Sequence, residues 1–287
     1  MTSPADIRAA APIGVFDSGV GGLSVLRHIR AQLPNEHLLY FADSGFAPYG
    51  DKPEQVVAER SLAVAKFLID QGAKALVVAC NTATIAAIKL LRASYPDLPI
   101  VGVEPGLKPA ALATRNGTVA VIATEGTLAG EKFLQLREQI SSTSKATFLL
   151  QGCPGLVEQI ELGELDSGTT RAMLERYLRP LVGKGADTLV LGCTHYPFVR
   201  ASIEQIVAGS GKADMVLIDT GDAVARQLAR LLGASGCENL SQGPARLDAF
   251  TTASATALEV AFSSLLGLQQ AVAEVAIDKK SAIPAAH

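Results

Sequence analysis

Two stretches of this 287-residue chain end in a thiol in almost the same way, ALVVACNTA at 75–83 and TLVLGCTHY at 188–196. The cysteines, Cys80 and Cys193, stand 193 − 80 = 113 residues apart. Each closes a β-branched and aliphatic run and is followed at once by small polar residues, Asn81-Thr82 in the first copy and Thr194-His195 in the second. A thiol at the entrance to a helix meets unpaired N–H groups and the positive end of the helix dipole. Both favour the thiolate, the form of sulfur that acts as a base or nucleophile.

Paired thiols have few uses. A redox pair shows Cys-x-x-Cys spacing, which Cys80, Cys153, Cys193 and Cys237 all lack, and a disulfide does not suit a reducing compartment. A zinc site needs about four close ligands. Only His195 stands near Cys193, while His28, His37 and His287 have no ligand spacing, so no metal is expected. What remains is acid–base work. A carbon acid held between the two thiols loses a proton to one face and receives one on the other, with inversion at carbon. Cys153, beside Pro154, and Cys237, in a polar loop, read as structural small hydrophobes.

These residues must be positioned by strands. IGVF (13–16), HLLYFA (37–42), ALVVAC (75–80), PIVGV (99–103), TVAVIAT, ATFLL, TLVLGC, MVLID and RLDAFTT are strand-like runs. They alternate with helical spacing at 23–33, 53–71, 82–94, 105–114, 126–140, 155–163, 169–183, 197–208, 221–233 and from Ser254 onward. The helix before Gly72 stops there. Continuous apolar strands alternating with helices give an α/β fold with mainly parallel sheets covered on both faces. The repeated strand-plus-Cys element, at nearly half the chain length, predicts two similar, pseudo-symmetric domains rather than a solenoid. The tail SAIPAAH (281–287) shows no periodicity and is expected to fray.

In open parallel sheets ligands bind beyond the carboxyl ends of the strands, where Asp17, Cys80 and Cys193 all fall. Asp17 opens DSGVGGLS, which is neither a GxGxxG fingerprint nor a P-loop, since Ser24 replaces the last glycine and no Gly-Lys-Ser/Thr follows. The turn either holds an anion on backbone N–H groups and the Ser18 hydroxyl, or is a plain strand-to-helix turn capped by Asp17 or Ser18. The loop ADSGFAPYGDKP (42–53) is likewise a second binding loop or only a connection.

The bulk composition fits this picture. At 48% hydrophobic residues the chain fills a core, and 25 basic against 28 acidic residues, scattered without long runs, leave no nucleic-acid footprint. Asp6 and Arg8 interrupt the N-terminus where an export signal needs an apolar stretch, and later apolar runs are only strand-length, which predicts a cytoplasmic chain without membrane contact.

DSGVGG, PYG, VVACNTA and LGCTH, in this order and spacing from about residue 13 to the helix after the final FTT, resemble the bacterial glutamate racemases of the aspartate/glutamate racemase superfamily. The resemblance implies interconversion of L- and D-glutamate without any cofactor or metal, supplying D-glutamate for peptidoglycan in cell-wall biogenesis. It implies two similar α/β domains with the active site in the cleft between them, the first discontinuous (1–104 plus 215–287) and the second spanning 105–214. It assigns Cys80 as the base for D-glutamate, assisted by Asp17, and Cys193 as the base for L-glutamate, assisted by His195. The family's further glutamate aligns through CPGLVEQIELG to Glu161, with Glu158 the weaker alternative. Substrate contacts carry over to Asp17, Ser18, Tyr49, Gly50, Asn81, Thr82, Thr124, Thr194 and His195.

The resemblance also implies a homodimer. Some members are activated by a peptidoglycan precursor, and the loop before PYG resembles theirs, although it reads DSGFA where many members carry a basic residue near Phe46. Two rival readings stay open, a racemase of aspartate or another small acid, and an amino-acid binding protein without chemistry. One methylene in a pocket is worth only about 1–3 kcal/mol, so substrate size separates the racemases weakly.

Overall fold

A computed structural model describes residues 9–241 and 243–277. The segment 281–287 and the N-terminal residues Asp6 and Arg8 lie outside the described residues. The chain divides into two compact units, one formed by 1–103 with 221–287 and the other by 104–220.

In the first unit β1 (Ile13–Asp17) pairs in parallel with β2 (Leu38–Ala42) on one side and with β3 (Ala75–Val78) on the other. β4 (Ile100–Gly102) extends the sheet beyond β3, and β9 (Leu247–Thr251) and β10 (Val272–Glu274) extend it beyond β2, giving the order β10-β9-β2-β1-β3-β4. The sequences IGVFD, LLYFA and ALVV are buried along their whole length, as strands covered on both faces must be.

Helices follow from the same patterning. Glu54–Asp70 lays Val57, Leu62, Val64, Ala65 and Leu68 against the sheet, and Asn81–Ser94 does so with Ala83, Ile85, Ala87, Ile88 and Leu91. The first of these ends where Gly72, at φ +89°, takes the left-handed conformation that only glycine adopts without strain. Their apolar stripes close a core around Phe16, Phe41, Leu68, Leu76 and Val78.

The second unit repeats the arrangement. β5 (Thr118–Ala123) lies between β6 (Thr147–Gly152) and β7 (Thr188–Leu191), and β8 (Val216–Ile218) pairs with β7. Its order β6-β5-β7-β8 is the order β2-β1-β3-β4 of the first unit with four added to each label. The first residues of matching strands are offset by 118 − 13 = 105, 147 − 38 = 109, 188 − 75 = 113 and 216 − 100 = 116. In each unit the chain leaves the first central strand toward one sheet edge and returns through the third strand on the other side. The gap between the two is a topological switch point, where loops part and side chains can converge.

Several elements differ from the sequence reading. The run 126–140 is two helices, Glu125–Ala129 and Glu131–Thr143, broken at Gly130, whose φ −64° and ψ 135° are extended. The stretch after Cys193 begins as a 3-10 turn, Tyr196–Val199, and only then becomes the helix Arg200–Gly209. The C-terminal helix stops at Leu266, beyond which the chain adds β10 to the sheet edge. The run MVLID belongs to the second unit through its pairing with β7, so the chain passes back to the first unit after Thr220 rather than after residue 214.

Gly22 shows how tightly the first switch point is packed. A Cβ there would lie 2.7 Å from Asp17 Cβ and 3.0 Å from the Tyr40 hydroxyl oxygen. Gly22→Ala is therefore expected to destabilise the protein by about 1–3 kcal/mol, the usual cost of overpacking. Urea unfolding should show a lower midpoint with an unchanged m-value, and an unchanged midpoint would mean that Asp17 yields freely.

Candidate active site

The first switch point gathers Asp17 and Ser18, at the end of β1, with Cys80, Asn81 and Thr82, just past β3. Cys80 is the N-cap of Asn81–Ser94, and its Sγ accepts the Ala83 N–H at 3.4 Å. The Cys80 thiol lies 3.9 Å from Ser18 Oγ, and Ser18 in turn donates to Asp17 Oδ1 at 3.4 Å. Asp17 is fully buried and accepts the Gly22 N–H through Oδ2 at 2.5 Å. It thus holds the turn, which was one of the two alternatives for DSGVGG. The Gly22 N–H is taken internally, and Leu23, Ser24 and Val25 donate to carbonyls within the turn.

Asn81 is 4% exposed, and its Nδ2 finds no acceptor among the described residues. A buried amide donor left unsatisfied costs about 1–3 kcal/mol, a penalty that a bound oxygen would remove. Thr82 is half-buried in the first turn of the same helix.

Tyr49 and Gly50 come from the loop after β2. Tyr49 is 1% exposed, and its hydroxyl donates to Asp43 Oδ2 at 2.7 Å. Burial first, then the charge and hydrogen bond of Asp43, hold its pKa well above 10, so the group stays a phenol. The Cys80 sulfur also contributes to this shift.

The second switch point is built by the same rule from Thr124 and Cys193-Thr194-His195, with Glu161 reaching in from the end of the helix Leu156–Glu161. His195 Nδ1 lies 3.6 Å from Cys193 Sγ, and its Nε2 lies 2.6 Å from Glu161 Oε1. Glu158, one turn earlier, is exposed. Burial of His195 works against its charged form, but hydrogen bonds to the Cys193 sulfur and the Glu161 carboxylate outweigh it and lift the pKa well above 6.5. As an imidazolium it donates through both ring nitrogens, to sulfur on one side and to carboxylate on the other. Thr124 caps Glu125–Ala129 by accepting the Thr127 N–H at 3.2 Å, and Thr194 is buried.

Several neighbours were not singled out from sequence. Arg60 and Thr252, both half-buried, join the buried Asp43 in a network behind Tyr49. The only sequence signal for it was the acidic start of the loop 43–52. Tyr196 is fully buried beside Cys193, with its hydroxyl close to the Cys153 thiol. Burial, then the charges of Cys193 and Cys153, push its pKa well up. Cys153 is a core thiol whose pKa burial pushes up to about 12, and none of the four cysteines forms a disulfide. Among the described residues no group of three or more His, Cys, Asp or Glu side chains is arranged to hold a metal ion. No described helix is long and apolar enough to cross a membrane.

Each thiol stands at the switch point of its own α/β unit and is linked to a carboxylate through an intervening group, an arrangement suited to moving protons. The family model for Asp/Glu/Hydantoin racemases matches residues 13–228. The chain belongs to that family and is an isomerase of the racemase type. It is 55% identical over 243 residues to the glutamate racemase of Pseudomonas entomophila (strain L48), covering 85% of this chain and 89% of that one. It also resembles the crystal structure of glutamate racemase from Francisella tularensis in complex with D-glutamate, at TM-score 0.82, 29% identity, and 94% and 99% coverage. The Escherichia coli glutamate racemase in complex with L-glutamate and the activator UDP-MurNAc-ala matches at TM-score 0.80 and 32% identity, over 93% of this chain and 99% of that one.

The raised pKa of His195 has a sign that can be read in stability. Its folded pKa exceeds the unfolded value near 6.5, so its contribution is fully present below about pH 6.5 and is lost as pH rises through the folded pKa. Urea unfolding of wild type and His195→Asn is expected to show a stability gap that is widest at pH 6 and narrows steadily on raising the pH. A gap that widens with pH would mean that His195 is buried neutral.

Proposed function

We infer that the protein is a glutamate racemase that interconverts L- and D-glutamate by a two-base proton transfer between Cys80 and Cys193. The observation that carries this reading is the matched placement of the two thiols, one just past β3 and one just past β7, in units that share the order of four strands. The reading is supported by relatives at 50–56% identity that are themselves glutamate racemases.

In this scheme one sulfur serves each face of the glutamate Cα. From D-glutamate, the Cys80 thiolate takes the Cα proton, the electron pair stays on carbon as a carbanion, and the Cys193 thiol delivers its proton to the opposite face. From L-glutamate the roles reverse. Each turnover leaves the proton on the other sulfur, ready for the other enantiomer.

The neighbours fit these roles unequally. The His195 imidazolium, anchored by Glu161, is the partner that a Cys193 thiolate needs. At Cys80 the corresponding support is Asp17, acting through Ser18, together with the Ala83 N–H. The substrate carboxylates and ammonium are met by neutral donors and small hydroxyls, Ser18, Asn81, Thr82, Thr124, Thr194 and the Tyr49-Gly50 backbone. Such a lining contains no cationic clamp that would favour one enantiomer's pose.

The product D-glutamate would enter peptidoglycan synthesis in the cytoplasm. An activator of the UDP-MurNAc-alanine type is proposed on the strength of the Escherichia coli relative, which holds one.

Incubation of either glutamate enantiomer in D₂O is expected to place deuterium at Cα while optical rotation decays to zero. Unchanged glutamate alongside racemised aspartate would overturn the substrate assignment. Cys80→Ser and Cys193→Ser are each expected to lower kcat by about 10²- to 10⁴-fold, the range contributed by a positioned acid or base. A single variant that racemises at the wild-type rate would rule out two-base transfer.

A further inference from the structure

Behind the loop that carries Tyr49 and Gly50 lies a carboxylate with no place in the proton transfer. Asp43 is fully buried and accepts four hydrogen bonds. Oδ2 takes the Tyr49 hydroxyl at 2.7 Å and Arg60 Nε at 2.7 Å, while Oδ1 takes Arg60 Nη2 at 2.6 Å and the Thr252 hydroxyl at 2.8 Å. The guanidinium binds both carboxylate oxygens, a fork that fixes direction as well as charge. Thr252 Oγ1 also accepts the Gly45 N–H at 3.0 Å, so the loop from β2 is tied at Gly45 and at Tyr49 to one buried anion.

The ring side of the loop is held as well. Phe46 packs edge-on against Tyr49 at 6.0 Å, and its face is covered by the Arg60 guanidinium and the Lys52 ammonium, each 5.0 Å from the ring centroid. Lys52 Nζ donates to Pro48 O at 2.8 Å. Phe46 thus meets two cations, one from position 52 and one from position 60. By contrast, neither the Tyr49 nor the Gly50 N–H donates to another described residue. The segment is clamped through its side chains and leaves two backbone donors for something else.

We propose that Asp43 and Arg60 are positioning residues, a buried clamp that acts through the Tyr49 hydroxyl to hold the Tyr49-Gly50 backbone donors in the pose that binds a substrate carboxylate. This rests on the assignment of glutamate as substrate. A loop held from behind binds ground state and transition state alike, so loosening it raises KM more than it lowers kcat. Because enantiomers have equal free energies, kcat/KM must fall by the same factor in both directions.

The test is steady-state kinetics with D- and L-glutamate for wild type, Asp43→Asn, Tyr49→Phe, the double variant and Arg60→Lys, each checked for folding by thermal melting. Asp43→Asn is expected to raise KM for both enantiomers about tenfold or more with kcat changed less than about threefold. Tyr49→Phe should raise KM in the same way, and the double variant should be no worse than Asp43→Asn alone, since both remove one linkage. Arg60→Lys, which keeps the charge but not the fork, should fall between wild type and Asp43→Asn.

The proposal is overturned if folded Asp43→Asn or Tyr49→Phe has a KM within about twofold of wild type, or if their effects multiply independently. If Asp43→Asn fails to fold, Tyr49→Phe, which leaves the carboxylate with its arginine, decides alone. Wild-type protein inert toward glutamate would instead overturn the substrate assignment.

Discussion

Parallel pairing of β1 with β3 and of β5 with β7 is the constraint on which the site depends. Strands buried on both faces leave no room for polar side chains along their length. Chemistry is therefore displaced to the carboxyl ends, and within each sheet to the one gap where successive connections run in opposite directions. Asp17 and Cys80 stand on either side of that gap in the first unit, and Thr124 and Cys193 do so in the second. The two thiols are alike because the same topological position is used twice.

The surroundings differ because each unit recruits its own elements to the gap. The second unit sends in the end of Leu156–Glu161, so that a carboxylate, an imidazole and a sulfur line up with contacts of 2.6 Å and 3.6 Å. The first unit supplies a serine between aspartate and thiol and a helix that begins on the sulfur itself. One arrangement carries a mobile charge on the imidazole. The other relies on hydroxyl and backbone dipoles held by packing around Gly22.

Much of this was legible in the sequence because it is local. The βα rhythm, the two thiols and His195 are set by patterns within a few residues, and Glu161 lies on a short helix whose alignment the resemblance provided. Features assembled across the chain were not legible. Asp43 meets Arg60 and Thr252 from separations of 17 and 209 residues, and no spacing rule joins them. β10 is three residues long and mostly exposed, so it has neither the apolar run nor the alternation that marks a strand. The 3-10 start at Tyr196–Val199 and the interruption at Gly130 are departures within otherwise helical patterns, where periodicity is a poor guide to the ends. MVLID was read correctly as a strand, but only its pairing with β7 shows to which unit it belongs.

The sulfur cap on Asn81–Ser94 couples protonation to backbone order. Most helices begin on an oxygen from serine, threonine, aspartate or asparagine, whose capacity to accept an N–H hardly changes in neutral water. Here the acceptor is a thiol, a weak one when protonated and a strong one as the anion. In the proposed two-base scheme, a proton arriving at Cys80 would loosen the hold on Ala83 N–H, and one leaving would tighten it. The opening turn of this helix would then follow, through one atom, the charge of its capping sulfur.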